Sequence, residues 1–259
     1  MRESVLENFI SFTEPHEGFV PKPYIDVKGY VTTGYGNLIG TTPSNPLDGQ
    51  ITSEGLSLPW RRDSDNSLAS RAEILEAFDA VKNSGMAQSG GGNQRHLTRI
   101  HLDESDIRSL VRRKLEQMEV TLRQFFPGYD SWPADAQLGL LSMSWAMGPA
   151  FARKYPKFTR AANQLIPDFL TMADESVIPE LGLPDAKPEG RNAQQVKLFN
   201  NAAAVMINNL DPNVLYWAEG AAEFVAKGAK PALGGAGILL LLMGGGSAAY
   251  YLAKHKGLL

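Results

Sequence analysis

The stretch from Asp135 to Met147 sets the strongest constraint on the fold. Leu138, Leu140, Leu141, Met143, Trp145 and Met147 leave it almost no polar face, and Gly148-Pro149 stops it. A helix that is apolar all round must be buried all round, so other helices have to enclose it. The neighbouring sequence supplies them. From Asp103 onward, Ile107, Leu110, Val111, Leu115, Met118 and Leu122 form one long apolar face that ends at Pro127-Gly128. Further helices are expected at about 157–172 and 191–208. The 259 residues are 43% hydrophobic, enough for one sizeable core with an appendage.

The first hundred residues read differently. Val5, Leu6, Phe9, Ile10 and Phe12 recur at helical spacing, which predicts a helix from about Glu3 to the Pro15 region. Glu17 then lies at or just past its end. Tyr24 to Gly36 alternates Tyr, Val and Thr between glycines and predicts a small antiparallel hairpin or sheet. Residues 38–98 look like an irregular insertion punctuated by Pro43, Pro46 and Pro59. Within it, Ser70-Arg-Ala-Glu73 is a capping-box pattern followed by Ile74, Ala77, Phe78 and Val81, predicting a helix over 71–83. Ser89-Gly-Gly-Gly-Asn93 reads as a linker or loop tip.

Pro231 to Ala253 carries no charge and contains Ile238-Leu-Leu-Leu-Leu-Met243. Lys227 and Lys230 flank it on one side, and Lys254, His255 and Lys256 on the other. Uncharged runs of roughly 20 residues are transmembrane candidates. Gly244 with Ala248, and Gly245 with Ala249, are small-residue pairs that favour close helix packing in lipid. The expected organisation is therefore a domain over 1–225 and a membrane-associated helix over 231–253.

Composition narrows the partners. A net charge of −3 argues against nucleic acid as a main partner, because no basic excess exists to neutralise phosphates. The absence of cysteine rules out disulfides and thiolate metal sites. His96 and His101 have no metal-ligand spacing, so no metal is expected. His16 reads as a solvated residue at a helix end. Arg112-Arg113-Lys114 reads as the solvated face of the long helix. Glu3 and Glu7 stand where a secretory signal would have its apolar run, so none is expected.

The chemistry-bearing stretch is Glu17 to Gly36. Glu17 follows an apolar helix, Asp26 sits among turn residues, and Thr32 precedes Gly34-Tyr35-Gly36. Two carboxyls in different environments and a hydroxyl are what glycoside hydrolysis needs: a proton donor, a partner for the cationic sugar or the water, and a group to hold that water. A solvated acidic turn has the same composition, so spacing alone leaves both readings open. Trp60 and Tyr35, in polar Gly/Pro-rich surroundings, are candidate sugar platforms. Trp145 reads as core.

The stretch resembles the active-site signature of the T-even phage-type lysozymes: Glu, eight residues, Asp, five residues, Thr, then Gly-x-Gly. Glu17, Asp26, Thr32 and Gly34-Tyr35-Gly36 match it, with Tyr24 two before the Asp and Gly29-Tyr30 after it. Ile100-His-Leu-Asp-Glu104, Tyr129-Asp-Ser131, Leu141-Ser-Met143-Ser-Trp145-Ala-Met147-Gly148 and Gly190-Arg191-Asn192-Ala193-Gln-Gln-Val196 resemble later family segments in order. The similarity spans roughly residues 3–208, with extra residues at 38–98.

The resemblance implies an α+β, mostly α fold with two lobes, a small sheet lobe, a long interlobe helix and a helical C-terminal lobe. It implies a muramidase acting on the β-1,4 bond between N-acetylmuramic acid and N-acetylglucosamine, without a cofactor. Glu17 would be the general acid, Asp26 would stabilise the oxocarbenium and handle the water, and Thr32 would hold that water, implying inversion. Arg191 would pair with or orient Glu17. Ser142 and Ala146 stand where the family often has Asn and Gln facing the cleft, and Asn37 replaces a frequent His. With the uncharged tail, the expectation is a virion-associated, membrane-linked lysin that contacts peptidoglycan, the membrane and other virion proteins and acts in the bacterial periplasm. The rivals are an endolysin of the lysis stage, a non-catalytic structural or peptidoglycan-binding virion protein, and a lytic transglycosylase.

Overall fold

The computed structural model describes residues 1–84, 95–181 and 189–221. The chain is a mostly helical α+β protein with a small N-terminal antiparallel sheet and a helical C-terminal region. It divides into two compact units: Ile10–Lys114, and Met1–Phe9 with the residues from Leu115 onward. Among the described residues, no helix is long and apolar enough to cross a membrane. The expected membrane helix at 231–253 lies outside those residues, as does the expected linker at 89–93.

In the unit Ile10–Lys114, helix α1 (Glu3–Glu17) delivers its last turns. It runs through Pro15 to Glu17, slightly further than the proline alone predicts. Gly18 ends it with φ +71° and an N–H bond to the Glu14 carbonyl (2.8 Å), a left-handed stop that costs glycine little. Strands β1 (Val20–Ile25), β2 (Val31–Gly34) and β3 (Asn37–Leu38) form an antiparallel sheet in that order. Tyr24 pairs with Thr32 and Ile25 with Val31, and the register shifts between Val20 and Tyr24. Pro21 and Pro23 lie inside β1 at that irregularity, where missing donors are tolerated.

The insertion is better ordered than its prolines imply. Helix α2 (Ser53–Ser57) is capped by Thr52, whose hydroxyl accepts from Gly55 N–H. Strand β4 (Arg61–Arg62) pairs with β5 (Ile100–His101). Helix α3 (Arg71–Lys82) has the predicted capping box at Ser70 and Glu73, and Ile74, Ala77, Phe78 and Val81 are all buried. Helix α4 (Glu104–Phe125) is the long amphipathic helix that the periodicity predicts. Of its basic cluster Arg112 and Arg113 are exposed, as expected, while Lys114 is half-buried and pairs with Glu54. His16 is half-buried with its ring edge on Phe12, and His101 pairs with Asp63 at 2.9 Å.

In the other unit, helix α5 (Ala134–Met147) is buried from Ala134 to Ser144, as its composition requires. Helices α6 (Pro156–Ala162) and α7 (Phe169–Glu175) replace the single helix expected at 157–172. Pro167 disfavours helix at Ile166 before it, and Asp168 restarts the chain by capping Thr171 N–H. Helix α8 (Arg191–Ile207) packs on α5 and α7. Gly139 lets the ring of Phe199 approach α5, since a Cβ there would lie 3.0 Å from it. Phe126, Trp132, Phe151, Phe158, Phe169 and Phe199 build the aromatic core.

Candidate active site

Asp26 leaves β1 and opens the turn into β2. Its N–H donates to the Tyr30 carbonyl (2.9 Å), and its Oδ1 accepts from Lys28 N–H and Tyr30 N–H, both at 2.8 Å. Gly29, at φ +87°, closes the turn through its N–H to the Asp26 carbonyl (3.0 Å). Two backbone donors on one oxygen fix the carboxylate's direction. Oδ2 takes no part in this turn.

Tyr24 precedes Asp26 by two residues and lies next to last in β1. Thr32, directly across from Tyr24, shares its face of the sheet. Thr32 is 2% exposed, and its Oγ1 lies 3.4 Å from the Tyr24 carbonyl oxygen. Burial holds the Tyr24 phenol above its ordinary range, and the carboxylates of Glu17 and Asp26 push it further up. A hydrogen bond with the Thr32 side chain and one with the Gly36 backbone act the other way. One buried phenol therefore feels the three residues of the Glu–Asp–Thr pattern at once. Glu17 is half-buried at the last position of α1, directly before the left-handed Gly18.

This grouping offers two carboxyls from separate elements, a largely enclosed hydroxyl and a neutral phenol. It can hold a water between Thr32 and a carboxylate and present a proton from a second carboxyl. Among the described residues, no group of three His, Cys, Asp or Glu side chains could hold a metal ion. Sequence reasoning gave Tyr24 no role of its own. Its position two residues before Asp26, near the end of β1, was the available signal.

The other predicted residues each have their own surroundings. Trp60 is 1% exposed, and its Nε1–H donates to the Gly55 carbonyl (2.9 Å), so it is a core residue and not an open sugar platform. Tyr35 is 2% exposed with its ring 5.0 Å from that of Phe19, and it too lacks an open face. Ser142 is enclosed, and its hydroxyl accepts from Gln195 Nε2 (3.2 Å). Arg191 begins α8, is buried, and donates from Nη1 to the Ser142 carbonyl (3.5 Å). Ser142 and Arg191 thus meet each other within the unit that starts at Leu115. Asn37 is buried, and its Oδ1 accepts from Tyr35 N–H (3.3 Å), which gives it a turn-building role. Set against known proteins, the sequence matches no family model and no curated protein.

Proposed function

We propose that the chain is a peptidoglycan muramidase that hydrolyses the β-1,4 bond between N-acetylmuramic acid and N-acetylglucosamine with inversion. The observation that carries this is the pairing of Tyr24 with Thr32 across β1 and β2, with the Asp26 carboxylate fixed by its turn just beyond β1. Glu17 protonates the glycosidic oxygen. The Asp26 carboxylate, aimed by its turn, faces the developing cation and draws the proton from water. Thr32 holds that water on the opposite face of the sugar. The lysozyme resemblance supplies the fold expected around these groups, two lobes joined by a long helix. The tail at 231–253 would link the enzyme to a membrane, as in a virion-associated lysin that opens the wall locally.

A second reading has a specific observation behind it. Trp60, Tyr35 and Ser142 are all enclosed, so the surface expected to grip a glycan is missing from those positions. This favours a non-catalytic virion component on a lysozyme-like scaffold. Incubating the purified chain with purified peptidoglycan and weighing the fragments separates the readings. Reducing muramic ends support hydrolysis, anhydro ends mean transglycosylation, and undegraded glycan leaves the non-catalytic reading. Hydrolysis that persists undiminished in Glu17→Gln would sink the assigned mechanism.

A further inference from the structure

The acidic residues of this chain avoid one stretch. None lies between Asp135 and Asp168, whereas Arg153, Lys154, Lys157 and Arg160 all do. The fold turns all four outward. Arg153 closes the short 3-10 turn Phe151–Arg153, and Lys157 and Arg160 follow on α6. Lys157 pairs with Glu175 (3.2 Å). Among the described residues, Arg153, Lys154 and Arg160 have no such ion pair. Beyond α6 the loop that replaces the expected longer helix holds up Leu165 and Ile166, 101% and 69% exposed.

Between the cations lies an open depression of about 500 Å³. Phe125, Ala152 and Pro156 line it together with Arg153, Arg160 and Asn163. The Arg153 guanidinium sits over the Phe125 ring, 5.5 Å from its centroid, and Asn163 Nδ2 donates to the Phe125 carbonyl (2.8 Å). The depression therefore has an apolar lining, two arginines and no carboxylate.

Single exposed apolar residues are ordinary. A contiguous exposed apolar pair five and six residues beyond an exposed arginine, in a chain of net negative charge, is a narrower pattern. A wall polymer would use the cations but not Leu165 and Ile166. An anionic phospholipid surface uses both, with phosphates at the arginines and aliphatic side chains in the acyl boundary. We infer that this face docks on an anionic phospholipid leaflet, with Arg153, Lys154 and Arg160 on the headgroups and Leu165 and Ile166 inserted below them. The inference rests neither on the hydrolase reading nor on residues 231–253.

The test uses the absence of cysteine. Leu165→Cys in the full chain accepts one environment-sensitive fluorophore at a fully exposed position, and Val120→Cys, also exposed, is the control. The probe at position 165 should brighten and shift to the blue with vesicles of phosphatidylcholine and phosphatidylglycerol, and stay unchanged with phosphatidylcholine alone. The probe at position 120 should respond to neither. Adding Arg153→Gln and Arg160→Gln should raise the vesicle concentration for half-response by roughly 25-fold, at about fivefold per cation lost. Salt should act in the same direction. No response at 165, equal responses at 165 and 120, equal responses to both vesicle types, or a response to soluble wall fragments without lipid would each overturn the inference.

Discussion

Tyr24 and Thr32 stand directly opposite each other on β1 and β2, and the Thr32 hydroxyl lies 3.4 Å from the Tyr24 carbonyl oxygen. Tyr24→Phe keeps the ring and removes only the hydroxyl. It should cost about 1 kcal/mol of stability, the usual net worth of one hydrogen bond. If the phenol orders the groups around it, turnover on peptidoglycan should fall by about tenfold with little change in KM, a loss of about 1.4 kcal/mol of transition-state stabilisation. Urea unfolding and steady-state turbidity assays measure the two effects separately.

Asp26 permits a cleaner separation of structure from chemistry. Its Oδ1 accepts both turn hydrogen bonds, from Lys28 and Tyr30. An asparagine can offer the same oxygen, so Asp26→Asn should fold with near-native stability, whereas Asp26→Ala should lose the turn. Turnover in Asp26→Asn should still fall by about 10²–10⁴-fold, the usual contribution of a positioned acid or base. Glu17→Gln should fall by a similar factor. Thr32→Ser should retain far more activity than Thr32→Val. Full activity in Asp26→Asn would assign the carboxylate to the turn alone.

Much of this arrangement was readable in the sequence because it depends on local rules. The Ser70–Glu73 box, the face Ile74, Ala77, Phe78 and Val81, and the stop at Gly148-Pro149 each use neighbours within a few residues, and each forms. Two-residue β4 and β5 carry too few positions for any period and are joined only by long-range pairing. The break between α6 and α7 was signalled by Pro167, but the apolar pattern around it outweighed one residue. At the proposed site, residue type and spacing drew attention to Glu17, Asp26 and Thr32 but left a solvated acidic turn equally open. Enclosure of Trp60 and Tyr35 was not legible, because Gly- and Pro-rich surroundings describe the backbone and say little about what covers a ring.

Two glycines should separate backbone strain from crowding. Gly18 and Gly34 both have positive φ, +71° and +64°. A Cβ on Gly18 meets nothing within 4 Å, while one on Gly34 would lie 2.6 Å from Ile107 Cγ2. Gly18→Ala should therefore cost about 1–2 kcal/mol, the left-handed penalty alone. Gly34→Ala should cost more, by roughly a further 1–3 kcal/mol for overpacking. Denaturant titration of the two variants compares them directly.

Asp135 should give the stability profile a component of unusual sign. Burial pushes its carboxyl up to about 6, against hydrogen bonds from Tyr216 N–H and the Asn201 amide. The folded chain then holds this proton more tightly than the unfolded chain, whose carboxyl stays near 3.8. Its contribution is full below about pH 4 and is lost as pH rises through about 6, with a total of about 3 kcal/mol. Asp63, Asp130 and Glu73, held below their ordinary values by cationic partners, run the other way at acid pH. The Asp135 part is isolated by comparison with Asp135→Asn. That variant should lack the slope between about pH 4 and 6, and should be about 1–3 kcal/mol less stable where its amide N–H₂ meets a second donor. An identical slope in both proteins would rule this out.

The same carboxylate has a mechanical consequence. Asp135 Oδ2 accepts from Tyr216 N–H and Oδ1 from Asn201 Nδ2, each at 2.9 Å, while Asn201 Oδ1 accepts from Ala221 N–H (3.1 Å). A tug applied to the backbone at Ala221 is thus carried first by a short relay of polar clamps, and only then by the packing of α8 on α5, where the Phe199 ring lies against Gly139. Hydrogen bonds are stiff over tenths of an ångström and then let go, whereas packed rings yield gradually. Under tension the relay acts as a shear pin, so the stretch from Leu210 to Ala221 peels away while the helices behind it stay together.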